Sequence, residues 1–169
     1  MKRRSFLAAA SIAVASTSGC SALSGDGSDG GGNETVQLED SSAGATGVTQ
    51  TLRIPVSEEI DGETLGAISA TYPRDQFAVD SASHEAVVVG VDSNGDGALN
   101  EQYEADAISG INNNEYSFTV TLDTSYELAE GDVVVLDYPA ISNPSEPGEY
   151  EVTVALNDGP ESTVTVEIS

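Results

Sequence analysis

From Thr35 to Ser169 apolar and polar residues alternate with a period of two. Leu52, Ile54 and Val56 alternate with polar or proline positions, and Ile68, Ala70 and Tyr72 repeat the pattern. Tyr116, Phe118, Val120 and Leu122 do the same, as do Tyr150, Val152, Val154 and Leu156, then Val164, Val166 and Ile168. This is the pattern of half-buried antiparallel strands. Val87-Val88-Val89 and Val133 to Leu136 are apolar on both faces, which suits central strands or strands covered by a loop. Turns are expected at Asp61-Gly62, Asn112-Asn113-Asn114, Glu130-Gly131-Asp132 and Asn157-Asp158-Gly159-Pro160. A helical period survives for about one turn, near Tyr126 to Ala129. About eight short strands at this spacing predict an all-β chain folded as an antiparallel β-sandwich. An up-and-down barrel is the weaker alternative, because the loops differ widely in length.

The segment Asn143 to Val154 narrows the fold. Its Asn143-Pro144-Ser145-Glu146-Pro147-Gly148-Glu149-Tyr150-Glu151-Val152 run resembles the turn into the penultimate strand of immunoglobulin-like domains. In that resemblance Tyr150 opens the strand and ties its hydroxyl back to the preceding corner, and Val152 is a core position. There is no tryptophan in the chain and no cysteine at 152, so the antibody-type disulfide and its packing partner are absent.

Residues 1–34 have a different character. Lys2-Arg3-Arg4, the apolar run Phe6 to Ala15 and the small residues after it have the parts of an export signal. The paired arginines point to the twin-arginine route. The apolar run falls short of the roughly 20 residues that span a membrane. Ser18-Gly19-Cys20 resembles the lipobox of bacterial and archaeal lipoproteins, with Thr17 where leucine is usual. That resemblance implies lipidation of Cys20, the sole cysteine, and a membrane anchor through the lipid. Residues 21–34 are Ser, Gly, Asp and Asn with almost nothing apolar, so a disordered acidic tether is expected. As a flexible coil of about 14 residues it would span roughly 20 Å. Asn33-Glu34-Thr35 is a glycosylation sequon at its end, making Asn33 a candidate acceptor. The expected organisation is a signal peptide over 1–20, a linker over 21–34 and one domain over 35–169.

Charge changes the list of partners. The chain has 29 Asp and Glu against 5 Lys and Arg, for a net charge of −24. Residues 1–20 hold Lys2, Arg3, Arg4 and no acid, so their removal would shift −24 by three, to −27. Arg53 and Arg74 then remain as the only basic residues. Nucleic acid and anionic lipid surfaces would repel such a chain. Acids spread over every segment, without lysine, resemble the surfaces of proteins from extreme halophiles, where molar salt screens the repulsion.

One motif carries chemistry. In Asp92-Ser93-Asn94-Gly95-Asp96-Gly97 oxygen donors recur at every second position and a glycine stands sixth, the way a short loop wraps Ca²⁺. The Ala98 carbonyl would be a further ligand and Leu99 the hydrophobic anchor. The twelfth position, where an acid is required, is Tyr103, so Glu101 or Glu104 would have to serve. The alternative is a solvated turn between two strands. His84, the sole histidine, reads as a loop residue, and with one histidine a blue-copper or zinc site has no support. No Gly-x-Ser-x-Gly elbow exists for a hydrolase nucleophile.

The leader, Cys20, the acidic tether, Ala70-Thr71-Tyr72-Pro73, Val89 to Gly97, Ala129-Glu130-Gly131-Asp132 and Asn143 to Val154 are together similar to immunoglobulin-like units of haloarchaeal secreted and surface-layer-associated glycoproteins. The resemblance implies a non-catalytic, lipid-anchored module on the outer face of the cytoplasmic membrane. Its expected partner is an envelope protein or a glycan, with Ca²⁺ stiffening one loop. A contrasting reading is an exported hydrolytic or carbohydrate-active domain, which requires two carboxylates about 5–9 Å apart in a cleft. A third is the accessory subunit of a larger complex.

Overall fold

The structure, a computed structural model, describes residues 35–169. Along them run β1 Thr35–Leu38, β2 Val48–Pro55, β3 Ala67–Thr71, β4 Ala78–Val79, β5 Val88–Asp92, β6 Glu101–Tyr103, β7 Ile108–Asn114, β8 Ser117–Leu122, β9 Val133–Ser142, β10 Gly148–Leu156 and β11 Ser162–Ile168. All pairings are antiparallel and they form two sheets. One runs β1-β2-β9-β5-β6, with β4 added to the end of β9, and the other runs β11-β10-β3-β8-β7. With β1, β2, β3, β5, β9, β10 and β11 taken as strands A to G, these are the A-B-E-D and G-F-C orders of an immunoglobulin-like sandwich. Strands β6, β7 and β8 lie between D and E in the chain and widen the far edge of each sheet. The chain is an all-β, immunoglobulin-like sandwich.

The alternation decides which side chains meet between the sheets. Leu52, Ile68, Val89, Val120, Leu136 and Val152 are all fully buried there. Each such side chain contributes about 1.5–3 kcal/mol by leaving water. No cysteine occurs in the described residues, so packing and hydrogen bonds alone hold the layers together. Phe118 of β8 stacks on Tyr138 of β9 across the interface, with ring centroids 4.0 Å apart and planes 3° from parallel. Polar pins accompany the stack. The buried Tyr72 hydroxyl, just after β3, donates to Gln50 Oε1 on β2, next to an irregularity in the β2–β9 register. Tyr138 donates to the Asp80 carbonyl at 2.8 Å. Burial raises the Tyr72 hydroxyl well above its ordinary pKa of 10.0, which keeps it a donor.

The Tyr150 expectation is met: its hydroxyl donates to the Glu146 carbonyl at 2.7 Å, four residues back. Three expectations change. The strands number eleven rather than about eight, because β1, β4 and β6 have only four, two and three residues, too few for a period to register. Asn112 to Asn114 belong to β7, and the turn falls one step later at Glu115-Tyr116. Tyr126 to Ala129 are not helical. Long-range bonds from Leu65 N–H to the Tyr126 carbonyl (2.9 Å) and from Leu128 N–H to the Glu63 carbonyl (2.8 Å) claim the backbone groups a helical turn would use. The helical residues described are two single 3-10 turns, His84–Ala86 and Ala105–Ala107. His84 thus opens one of these turns.

Tyr150→Phe removes one hydroxyl and leaves the ring against Phe77, whose centroid is 5.6 Å away. The expected loss is about 1 kcal/mol, the net worth of one hydrogen bond, read by equilibrium denaturation. A loss under a few tenths would mean the corner bond contributes nothing.

Candidate functional site

Asp92 ends β5 and is fully buried, although it faces outward from its sheet rather than into the core. In the sheet register Arg53 pairs with Val135 and Val135 with Gly90, while Asp92 pairs with Val133. Arg53 therefore reaches diagonally across β9, and its Nη2 donates to Asp92 Oδ2 at 3.0 Å. Asp92 Oδ2 also accepts the Gly97 N–H at 2.8 Å, and Oδ1 accepts the Gly95 N–H at 2.8 Å. The next two loop side chains repeat this on a smaller scale: Asn94 Oδ1 accepts from Asp96 N–H (3.1 Å) and Asp96 Oδ1 from Ala98 N–H (2.9 Å). Gly95 and Gly97 have φ of 69° and 91°, the left-handed region this winding needs. Asn100 closes the loop by accepting from Ser93 N–H at 2.8 Å, and its own N–H returns to the Val91 carbonyl at 2.8 Å.

Leu99 folds back onto β5. A Cβ at Gly90 would lie 2.7 Å from Leu99 Cδ1 and 2.7 Å from the Glu101 carbonyl oxygen, so only glycine admits the loop here. Arg53, Asp92 and the returning loop together cover the outer face of β9, where Val135 is only 8% exposed. This is the covering loop that the apolar run at Val133 to Leu136 predicts.

The residues do not fit a calcium ion well. Burial pushes the Asp92 carboxyl up, but the Gly97, Gly95 and Asn94 N–H donors and the Arg53 guanidinium outweigh it, so its pKa falls below the ordinary 3.8. The first ligand of the expected set is thus already surrounded by donors and carries its own counter-charge. Glu101 starts β6 and Glu104 lies just before the second 3-10 turn, both exposed. Among the described residues no three His, Cys, Asp or Glu side chains gather as a metal-holding group. Cys20, Asn33, the leader and the tether lie outside the described residues.

A second surface emerges from the register of the other sheet. Its outward positions form three consecutive rows across the strands: Thr163-Thr153-Thr71-Ser117-Asn114, then Ala155-Ser69-Thr119-Asn112, then Ala67-Thr121-Gly110. None of these residues is charged, and none is buried. At normal strand and residue spacings the patch measures about 20 Å across the strands and about 13 Å along them. Acids return at its margin, with Glu149, Glu151 and Glu167 on β10 and β11 and Glu161 just before β11. Sequence reading missed both this face and the role of Arg53. The signal for the face was present in the Ser and Thr residues alternating with the core positions. The partner of Arg53 is 39 residues away and has no local signature.

No protein-family model matches the chain, and no curated protein matches it in sequence. Among solved structures it is similar to BslA, a bacterial hydrophobin, at 14% identity and a TM-score of 0.44, over 80% of this chain and 94% of that one. It is similar to the pilus 2b backbone protein of group B streptococcus at 16% and 0.43, over 80% of this chain but 56% of that one. It is also similar to the collagen-binding domain of a Staphylococcus aureus adhesin at 12% and 0.41, over 83% and 99%. These are distant likenesses, and the fold stands on the strand order above.

Two outcomes test the loop. Gly90→Ala should cost about 1–3 kcal/mol by overpacking, and a smaller loss in chemical denaturation would show that Leu99 moves aside freely. The lowered Asp92 pKa makes its contribution complete above pH 3.8 and lost as the pH falls below that through the folded value. The gap in melting temperature between the native chain and Asp92→Asn should therefore hold steady down to about pH 5 and shrink below about pH 4. A gap that persists at lower pH would contradict this.

Proposed function

We propose that this chain is a non-catalytic binding or scaffold module held at the cell surface by lipid on Cys20. It docks an uncharged glycan of the envelope through the outer face of β11-β10-β3-β8-β7. The uncharged face is the observation that carries this reading. A cationic partner would seek the acids elsewhere on the chain, and an anionic one would be repelled by them. An uncharged polyhydroxylated polymer meets neither problem. Ser, Thr and Asn side chains both donate and accept, as sugar hydroxyls do, and a flat array suits an extended chain. A second copy fits less well, because a patch of this size is well below the roughly 800 Å² per partner of a stable interface.

The arrangement of the acids supports the absence of turnover. Asp132 is buried and accepts from the Tyr126 hydroxyl at 2.9 Å and the Ala129 N–H at 3.0 Å. Asp40 and Asp92 have lowered pKa values, the opposite of a general acid. A small cavity between the ends of β2 and β10, about 30 Å³, is lined by Ile54, Ile60, Leu156 and their neighbours, with no carboxylate. It has room for about one water.

The test is binding of the full chain carrying Cys20→Ser, which cannot take the lipid, to envelopes of the producing cells, stripped either of protein by protease or of intact sugars by periodate. Binding should survive protease, disappear after periodate, and fall at least about tenfold in Ser69→Glu with Thr119→Glu, a loss of about 1.4 kcal/mol. Binding that survives periodate, or that the paired variant retains, would sink the glycan reading.

A further inference from the structure

We propose that Asn94 is a site of spontaneous covalent modification, deamidation through a cyclic imide with Gly95, and that Asp92 sets its rate by gripping the Gly95 nitrogen. Of the asparagines in the chain, Asn94 is the one that a glycine follows. In the reaction the Gly95 backbone nitrogen attacks the Asn94 side-chain carbonyl carbon. A Cγ–N bond forms, the Cγ–Nδ2 bond breaks, and the nitrogen's proton leaves with the amide as ammonia. Water then opens the imide at either carbonyl, giving aspartate or isoaspartate. A side chain on the following residue would crowd the attack. Gly95 has none, and a Cβ built there would meet nothing within 4 Å. Asn94 is itself exposed, so water reaches it.

The winding of the loop opposes this reaction. Gly95 N–H donates to Asp92 Oδ1 at 2.8 Å, and Asn94 Oδ1 accepts the Asp96 N–H at 3.1 Å, so both reacting groups are held by other partners. The nitrogen must also lose its proton before it attacks. Burial works against the charge of the Asp92 carboxylate beside it, but the loop N–H donors and Arg53 outweigh burial and keep it ionised. A carboxylate held so low is a poor proton acceptor. Its other oxygen, Oδ2, accepts the Gly97 N–H at 2.8 Å, and that nitrogen would close the same ring on Asp96 with loss of water. One buried side chain thus restrains both glycine nitrogens of Asn94-Gly95-Asp96-Gly97, one on each oxygen, as a positioning residue. The two products of Asn94 differ in consequence. Aspartate keeps an oxygen for the Asp96 N–H. Isoaspartate inserts a methylene into the main chain between Asp92 and Leu99, which displaces the later donors from their acceptors and Leu99 from its seat over Gly90.

The experiment incubates the full chain in mildly alkaline buffer and follows position 94 by mass mapping that separates asparagine, aspartate and isoaspartate. The folded native chain should convert at least about tenfold more slowly than the same chain unfolded in urea, where Asn94 should be the first asparagine to convert. Asp92→Ala, still folded, should convert at least about tenfold faster than the folded native chain. Should Asp92→Ala not fold, Asp92→Asn takes its place, since its amide nitrogen cannot accept an N–H. Val152→Ala, which weakens the core of the sandwich away from the loop, should keep the native rate. The isolated isoaspartate form should melt below the aspartate form. A folded native chain that converts as fast as the unfolded one would overturn the proposal. So would a folded Asp92 variant with the native rate, or an unfolded chain in which another asparagine converts before Asn94.

Discussion

Strand β9 can turn neither face to water, and much of the structure follows from covering both. On one face Val134, Leu136 and Tyr138 pack into the space between the sheets, the last stacked on Phe118. On the other, Val133 and Val135 would be bare at the centre of an exposed sheet. Arg53, Asp92 and the loop after β5 close over them, and Gly90 makes the room that Leu99 occupies. The ion pair is therefore part of a roof. Its energetic role is to let a charged strand end and a polar loop lie on an apolar surface without an unpaired charge.

That roof makes the two outer faces of the sandwich unequal. The face of β1-β2-β9-β5-β6 is engaged by its own chain, through Arg53 with Asp92 and through Thr51 with Asp137. The face of β11-β10-β3-β8-β7 has small, neutral, hydroxyl-bearing side chains in three rows. On a chain with 29 acids such a gap calls for a reason. Solubility would favour acids there as much as anywhere else on the surface. Neutral hydroxyls on a rigid, registered sheet hold fixed spacings with little side-chain entropy left to lose, which is how a weak array gains affinity for a repeating ligand.

The period-two positions made the sandwich legible, and the Asn143–Val154 segment made its corner legible, because both are local. Each core residue declares itself by its neighbours two places away, and Tyr150 by the loop just before it. The edge strands were hidden because two to four residues carry no period. The window near Tyr126 looked helical because its partners, Glu63 and Leu65, lie 65 and 61 residues away from Leu128 and Tyr126 in the chain. The loop was misleading in a more informative way. Its oxygen spacing was readable, but the charge that answers Asp92 arrives from β2, across an intervening strand, and no spacing rule links positions 53 and 92.

An arginine at Asp92, where a metal-binding loop would have an ion, has a physical consequence. A bound Ca²⁺ stabilises a fold only as far as its free concentration exceeds its dissociation constant, by mass action. A guanidinium from the same chain is present at a fixed effective concentration, whatever the medium contains. Salt would screen an exposed pair, but screening acts weakly on a pair with one partner buried. Where dissolved ions vary widely, the arginine keeps the roof over β9 closed. A loop built this way holds the scaffold constant, while the opposite sheet keeps its rows of small neutral side chains uncovered.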